Sequence, residues 1–421
     1  MSGATVRGLG LRLGASAFNQ RALRIMGTAV PRLTGRVPWL ALGRRPAPAL
    51  PGPDWARVRP LLAGICGSDL SLITGRASAT LSPFASFPAV LGHEVVGVIE
   101  EAGGRVTLPV GARVAIDPVI SCAVRGLDPC ASCSQGLPAL CLHAADGDLS
   151  PGMLIGYCRD LPGGWSDGML VHASQLHPVP DELPDDVAVL LEPLSICLHA
   201  VLADPPRDGE RILIIGGGSI GLGTLAALRL TGVRDDVTVT VRHPFQAALA
   251  ERLGATRTVA DDGGRGARRA AVEAAGARSF RPLAGDPVLS GGFDRVYDCV
   301  GSRASLGSAM RVSGPRGRIV LIGGAFEIAD LDWTLVWTRE LRITGSYGYG
   351  REASVPGEPH TFDHLLRLLA EHPELPMADL VTHRFSLDRW PEALNTALGR
   401  GGRSAVKVVF DHRSAYPAEH A

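Results

Sequence analysis

Three side chains that lie far apart in the sequence have the chemistry of zinc ligands: Cys66, His93 and Glu192. Zinc sites that do chemistry use about three protein ligands and keep one position open for water or substrate. Small residues around Cys66, in residues 64–69, let the backbone bend around an ion, and apolar neighbours make Glu192 costly to bury unless it is paired or metal-bound. Singly, the three fit a core thiol, a core histidine and a helix cap. Together they predict a catalytic zinc.

A glycine turn follows within thirty residues of Glu192, with Gly216, Gly218 and Gly221 in the spacing Gly-x-Gly-x-x-Gly. It comes directly after the apolar run Ile212–Ile215, which is typical of a buried parallel strand, and opens a helical pattern over Ser219–Leu230. The three glycines permit a tight turn, a close approach of the backbone to a pyrophosphate, and close packing of helix on sheet. The free N–H groups at the helix N-terminus suit phosphate, so the turn predicts a dinucleotide site.

The identity of the dinucleotide depends on the end of the next strand, Val237–Val241. NAD enzymes place an acidic residue there for the ribose hydroxyls, but here Arg242 and His243 follow, and Asp235 and Asp236 lie at the wrong end of the strand. The planar fork of an arginine matches the oxygens of a 2′-phosphate, which favours NADP. The alternative is that Arg242 is a solvated side chain and that NAD is held by other contacts.

The composition is that of an ordinary soluble globular protein: 421 residues, 46% hydrophobic and 20% charged, a length that predicts two domains. With 42 residues of each sign the formal net charge is zero, which gives no electrostatic basis for binding nucleic acid or an anionic membrane. Residues 1–53 hold eight arginines and no acidic residue, as a mitochondrial presequence does, but arginine replaces lysine almost everywhere in the chain, so a cytoplasmic location is the default expectation.

The pattern of apolar runs in the sequence changes near Arg211. Before it, short β-type runs separated by Gly and Pro predict an irregular, mostly antiparallel β domain at 56–60, 95–100, 113–116 and 168–172. After it, strands at 212–215, 237–241, 295–299, 318–322 and 341–344 alternate with helices, which predicts an α/β fold with a doubly wound parallel sheet. An arginine-rich stretch, 261–292, is expected to be a helix with long loops; helices near 360–371 and 388–398 and a strand at 405–410 follow.

Residues 64–69, 92–106 and 190–200 resemble the zinc-dependent medium-chain dehydrogenase/reductase family, over about residues 55–410, and the Gly-His-Glu element around His93 is the most specific motif. The resemblance implies a GroES-like catalytic domain (55–192, completed by 345–421), a Rossmann domain (193–344), an N-terminal extension (1–54) and a homo-oligomer. It implies zinc held by Cys66, His93 and Glu192. The Glu-Pro-Leu-Ser form at Glu192 is similar to sorbitol and related polyol dehydrogenases, in which Glu94 can also swing onto the metal or the distal acid can reach it through water.

Further roles follow from that resemblance. Asp69 is expected to accept a hydrogen bond from the second ring nitrogen of His93, and Ser68 to relay the proton of the alcohol. Relatives often have a histidine shortly after the serine, whereas residues 70–72 here are Leu-Ser-Leu, so the outer part of the relay is open. Gly301 and residues 321–323, Gly323 among them, are expected beside the nicotinamide.

Four cysteines within twenty residues are similar to the structural zinc lobe of the same family: Cys122, Cys130, Cys133 and Cys141. The first gap is five residues longer than usual, which costs on the order of 1 kcal/mol or less of closure entropy and is compatible with a tetrahedral site. The alternative is a lobe that has lost its metal and keeps reduced thiols.

The combined expectation is an enzyme that transfers hydride between a small-molecule alcohol, such as a polyol or sugar, and NAD(P), with zinc polarising the alcohol oxygen. A zinc reductase of a different carbonyl class and a non-catalytic dinucleotide-binding protein of the same fold are the alternatives. A zinc-free reductase would lack the ligand set. Residues 74–87, Tyr157 and Trp165 are candidates for the substrate lining, and ordinary packing is their alternative role.

Overall fold

The computed structural model describes residues 5–12, 39–324, 327–400 and 405–413. They form two compact units. The first takes the described residues through Glu192, together with Tyr349–Arg351 and those from Val381 onward; the second takes Pro193–Gly348 and Glu352–Leu380. Much of the predicted extension and of its presequence-like pattern, residues 1–4 and 13–38, lies outside the described residues.

The first unit is built on β-strands that pair mostly antiparallel. In chain order the first eight are β1 (Thr5–Leu11), β2 (Leu40–Pro46), β3 (Trp55–Gly64), β4 (Ala89–Val90), β5 (Val95–Ala102), β6 (Arg113–Ile116), β7 (Met169–His172) and β8 (Leu176–Pro178). β1 lies between β2 and β4 in a small sheet, so the described part of the extension is a strand pair joined to this unit. Inward-facing residues of β3 and β5 such as Val58, Ala63 and Ile99 are almost fully buried and form its core.

The second unit contains a six-stranded parallel sheet with the strand order β11-β10-β9-β14-β15-β16. The strands of this unit are β9 (Ile212–Ile215), β10 (Val237–Val241), β11 (Arg257–Ala260), β12 (Arg278–Phe280), β13 (Val288–Ser290), β14 (Phe293–Asp298), β15 (Ser313–Leu321) and β16 (Arg342–Gly345). Every residue of β9 is buried, as expected for a central strand covered on both faces. The predicted doubly wound sheet is confirmed.

Two more strands, β17 (Val381–Phe385) and β18 (Lys407–Asp411), complete the larger sheet of the first unit, whose order is β17-β18-β3-β5-β6-β8 with β7 on β3. The helices are α1 (Gly67–Ile73), α2 (Ala131–Ser134), α3 (Asp185–Ala188), α4 (Leu191–Leu202), α5 (Ser219–Leu230), α6 (Pro244–Arg252), α7 (Arg265–Glu273), α8 (Arg303–Val312), α9 (Thr334–Thr338), α10 (Thr361–Glu371) and α11 (Trp390–Ala397). Within the described ranges, no helix is long and apolar enough to cross a membrane.

The stretch 261–292 differs from its prediction. It contains α7, as expected, but its second half is the antiparallel hairpin β12–β13 where loops were predicted. The three residues of β12 are all exposed, so the hairpin leaves no alternation of apolar and polar residues in the sequence. Gly285, with φ 89°, lies in the connection and adopts the left-handed backbone that a turn requires.

Candidate active site

Three donor groups of the first unit meet in one place: the Sγ of Cys66, a ring nitrogen of His93 and a carboxylate oxygen of Glu94 all lie within 4.8 Å of one another. Cys66 is the N-cap of α1, two residues after the end of β3, and His93 and Glu94 directly precede β5. Gly92, with φ 94°, makes the bend that brings the histidine inward. Sulfur, imidazole and carboxylate are the common ligands of zinc, so this donor set fits that metal.

The carboxylate of Asp69 organises the neighbourhood of His93. It is fully buried, accepts the backbone N–H of Cys66 at 3.1 Å, and has its other oxygen 3.5 Å from Nδ1 of His93. That second distance is ion-pair range and longer than a well-formed hydrogen bond. Burial lowers the pKa of His93, but the Asp69 carboxylate and the Cys66 sulfur outweigh it and leave the pKa well above its ordinary value. Asp69 thus lies beside Nδ1 of His93, and its role as acceptor for the second ring nitrogen stays a prediction.

Glu94 makes a second, unpredicted contact. The ammonium group of Lys407, on β18, lies 2.7 Å and 2.8 Å from its two carboxylate oxygens, and both side chains are buried. Burial lowers the pKa of Lys407, and the charge of Glu94 more than offsets this, so the pKa lies above its ordinary value. A Cβ at position 64 would overlap a carboxylate oxygen of Glu94, so Gly64 gives this carboxylate its space.

Glu192 lies outside the group of three donors, although the sequence predicts it as a ligand. Its carboxylate is buried on α4. One oxygen accepts the hydroxyl of Tyr349 at 3.3 Å, and the other, Oε2, has no hydrogen-bond partner among the described atoms. Burial raises the pKa of Glu192 to about 7, although His93 and Lys407 act against this. A buried acceptor without a partner is costly unless a water molecule or an ion binds it, so the role of Glu192 as a ligand stays a prediction.

Ser68, on α1, has a hydrogen-bond partner that the sequence did not reveal. The hydroxyl of Tyr157 lies 2.8 Å from Oγ of Ser68 and 2.9 Å from Oδ1 of Asp69. Burial and the negative groups around it raise the pKa of Tyr157 well above its ordinary value, so the hydroxyl keeps its proton at neutral pH. Of the two aromatic lining candidates, Tyr157 therefore lies at the site. Trp165 does not: it is fully buried and donates to the carbonyl of Gly64 at 2.9 Å, which makes it a core residue.

The sulfur atoms of Cys122, Cys130, Cys133 and Cys141 all lie within 4.8 Å of one another. The Leu142 N–H, 3.4 Å from the sulfur, lowers the pKa of Cys130 to about 6, whereas burial raises the pKa of Cys133. A tetrahedral zinc needs four sulfurs gathered in this way. The longer first gap in the sequence therefore does not separate the cysteines.

The glycine turn lies in the second unit, between β9 and α5. Gly216 has φ 109°, and its N–H donates to the Thr240 hydroxyl at 2.9 Å. A Cβ on Gly221 would overlap the carbonyl oxygen of Gly216. Gly218 is the N-cap of α5 and has no side chain to occupy the free N–H groups of the first turn. The turn has the form that a pyrophosphate requires.

The end of β10 carries Arg242 and His243, which the sequence predicts to select the coenzyme. Nε of Arg242 lies 2.7 Å from the carboxylate of Asp261, and two-thirds of the arginine side chain is exposed. Both residues line a depression together with Thr240, Gly264 and Ser302. His243 is the N-cap of α6, and its ring stacks on Phe245 with 5.7 Å between the centroids. An arginine is thus presented at the end of the strand, and an acid directly after the neighbouring strand β11 pairs with it.

The turn after β14 contains the other predicted coenzyme glycine. The buried carboxylate of Asp298 accepts the N–H groups of Val300 and Gly301 at 3.0 Å and 3.1 Å. A Cβ on Gly323 would lie 2.5 Å from the Val300 backbone, so only glycine lets these two segments approach. The structure thus brings Gly301 and Gly323 together.

Comparisons with known proteins agree with this geometry. Residues 52–181 match the alcohol dehydrogenase GroES-like domain, and residues 219–371 match the zinc-binding dehydrogenase domain. The starvation-sensing protein RspB of Escherichia coli is 30% identical, over 85% of this chain and 91% of its own length. The chain belongs to the zinc-dependent medium-chain dehydrogenase family. The predicted GroES-like and Rossmann domains are confirmed.

Two further relatives support this membership. An L-threonine 3-dehydrogenase of Anaeromyxobacter dehalogenans is 28% identical over 84% of this chain and 90% of its own length. A crystal structure from Sinorhizobium meliloti, described as a zinc-binding dehydrogenase and bound to NADP, covers 97% of this chain and 99% of its own, with 26% identity and a TM-score of 0.70. This medium-chain dehydrogenase is therefore a zinc-dependent oxidoreductase of alcohols that uses NAD(P), as its sequence predicts.

Sequence reasoning missed two residues of the site in this dehydrogenase, Lys407 and Tyr349, and it named Tyr157 only as a lining candidate without its contacts to Ser68 and Asp69. Each contacts its partner across a long stretch of chain; Lys407 is 313 residues from Glu94. The sequence held one usable indication, since Lys407 is the only lysine in a chain that otherwise uses arginine. Nothing in the local pattern marks Tyr349.

Proposed function

We propose that the chain oxidises a secondary alcohol of the polyol, sugar or hydroxy-amino-acid class with NADP, and reduces the corresponding ketone in reverse. The observation that carries the proposal is the meeting of the donor atoms of Cys66, His93 and Glu94 within 4.8 Å, with Ser68 on the helix that Cys66 caps. The names of the relatives support the class, since threonine is a secondary alcohol. A reductase of a different carbonyl class would use the same ligands and differ only in its substrate.

We assign each polar group a role. Cys66 and His93, with Glu94 or Glu192 as the carboxylate, would hold a zinc ion, which supplies a Lewis acid that lowers the pKa of an alcohol. Asp69 orients His93 from the far side of the ring. Ser68 presents a hydroxyl to the substrate, and a bound nicotinamide would supply the hydride acceptor.

The preference for NADP rests on Arg242. A 2′-phosphate offers three terminal oxygens to a planar guanidinium, and Arg242 stands exposed where an NAD enzyme would place its carboxylate. Asp261 already neutralises part of that charge. We infer that Asp261 orients the guanidinium and that the phosphate binds to its remaining N–H groups.

The proposal has three further parts: a second zinc, the oligomeric state and the location. A second zinc in the four-cysteine lobe is supported by the gathered sulfurs. A homo-oligomer is supported by the exposed aromatic side chains of Trp333, Trp337 and Tyr347 close to the edge strand β16. A cytoplasmic location is supported by the eight cysteines, all of which are free thiols, as in a reducing compartment.

The test is a screen of secondary alcohols and ketones with each nicotinamide coenzyme, followed by the absorbance change at the reduced-nicotinamide band. We expect turnover that is faster with NADP, that is lost on treatment with a chelator and that returns with added zinc. Turnover that survives complete removal of zinc, or none with any alcohol or ketone, contradicts the proposal. Ser68→Ala with intact zinc content serves as the control for catalytic loss without loss of metal.

A further inference from the structure

The hydroxyl of Tyr157 lies within hydrogen-bond distance of two groups of the site. Its oxygen is 2.8 Å from Oγ of Ser68 and 2.9 Å from Oδ1 of Asp69, and Tyr157 is the donor in both contacts. The one proton of this hydroxyl is therefore shared between Ser68 and Asp69.

The backbone around Tyr157 holds this hydroxyl in place. Gly156 has φ 88°, and a Cβ on it would lie 3.2 Å from the backbone of Gly92, so the loop passes close to the segment that carries His93. The carbonyl of Tyr157 accepts the N–H of Ser86 at 3.0 Å. Its ring lies 5.4 Å from the ring of His93, centroid to centroid. The tyrosine is thus fixed from both its main chain and its ring.

The consequence concerns the orientation of Ser68. A free serine hydroxyl rotates among its partners, but here one lone pair of the Ser68 oxygen accepts from Tyr157, so the O–H and the second lone pair are directed away from the tyrosine. A substrate hydroxyl beside the donor group of Cys66 and His93 is a suitable partner for them. Residues 70–72, Leu-Ser-Leu, hold no histidine that could do this from the same helix.

We propose that Tyr157 is a positioning residue that fixes the orientation of the Ser68 hydroxyl for its hydrogen bond with the substrate hydroxyl. The residue acts through Ser68 and does not touch the substrate. The inference rests on the proposed dehydrogenase function. It adds to that function the residue that contacts Ser68 in place of the histidine expected in the outer part of the proton relay.

The test is a double-mutant cycle in the zinc-loaded protein. We expect Tyr157→Phe to lower kcat roughly 10- to 100-fold with little change in KM, because the substrate still binds but meets a misoriented serine. In a Ser68→Ala background the same substitution is expected to change kcat less than about 3-fold, because the group through which it acts is gone. Ser71→Ala, one turn later on α1, is the matched control and is expected to keep full activity.

Two measurements that do not depend on turnover separate this role from support of the metal site. Zinc content and the rate of zinc release to a chelator are expected to be unchanged in Tyr157→Phe. In Asp69→Asn, zinc content is expected to fall and zinc release to be faster. Loss of zinc from Tyr157→Phe would show that the tyrosine acts through Asp69 and His93, and independent, additive effects of Tyr157→Phe and Ser68→Ala would also overturn the inference. If the wild-type protein shows no turnover in the screen, the proposed function fails first, whereas an active wild type with an additive cycle defeats only the role of Tyr157.

Discussion

The ammonium group of Lys407 lies 2.7 Å and 2.8 Å from the two carboxylate oxygens of Glu94, and both side chains are more than nine-tenths buried. The same carboxylate belongs to the donor group with Cys66 and His93. One buried acid is therefore shared between an ion pair and a candidate metal site. The lysine neutralises an acid that would otherwise be buried as an isolated charge.

Removing the lysine is expected to destabilise the first unit. Lys407→Met leaves the carboxylate of Glu94 buried without its partner, which costs about 3 kcal/mol of the free energy of unfolding. Chemical denaturation of the zinc-loaded protein measures the loss. The double variant Lys407→Met/Glu94→Gln removes both charges and is expected to recover at least half of it. A double variant as unstable as the single one would show that the cost is lost packing and not an unpaired charge.

The ion pair also shows where sequence reasoning reached its limit. The bounds of β9, β10 and α5 are those predicted, because buried parallel strands are continuous apolar runs and α5 begins at a glycine turn of fixed spacing. Cys66 and His93 were found because their neighbours carry a motif. Lys407 has no such motif, and its distance to Glu94 is set by the pairing of β18 with β3.

The edges of the fold were harder to predict than its centre. β11 is an edge strand whose four residues are exposed or partly exposed, so it leaves no apolar run in the sequence. The carboxylate ligand of the site was also beyond what the sequence could decide. Motif spacing pointed to both Glu94 and Glu192, and only the folded backbone shows which of them lies within 4.8 Å of the cysteine and the histidine.

The buried His412 predicts a loss of stability in acid. Burial lowers its pKa to about 4, although Asp167 and Asp411 act against this. In the unfolded chain the imidazole takes up its proton near pH 6.5, so the unfolded state binds more protons and stability falls as the pH drops from about 6.5 to about 4. The full effect is on the order of 3 kcal/mol.

His412→Leu isolates this contribution from the other titrating groups. Between pH 8 and pH 4 the wild-type protein is expected to lose about 3 kcal/mol more of its free energy of unfolding than the variant does. Denaturant unfolding at each pH, on both proteins, gives the comparison. Parallel curves for the two proteins would mean that the folded protein accepts a proton on His412 at no cost.

The two groups of donors predict two zinc ions per chain. Elemental analysis of the purified protein is expected to find two, and Cys133→Ser to retain one, because a four-sulfur site loses a ligand while Cys66 and His93 are untouched. Cys299→Ser, in the second unit and outside both groups, is the control and is expected to retain two. One zinc in the wild-type protein, unchanged by Cys133→Ser, would mean that the lobe holds reduced thiols without metal.

The coenzyme preference is expected to follow the charge at the end of β10. Arg242→Asp places a carboxylate where the ribose hydroxyls of NAD need one and removes the partner of a 2′-phosphate, so kcat/KM with NADP is expected to fall at least about 10-fold relative to NAD. Arg252→Asp makes the same change of charge at the far end of α6, where the arginine pairs with Asp379. The ratio of kcat/KM for the two coenzymes is expected to stay constant there. An unchanged ratio in Arg242→Asp would mean that the guanidinium is a solvated partner of Asp261, and an equal shift in both variants would assign the effect to net charge.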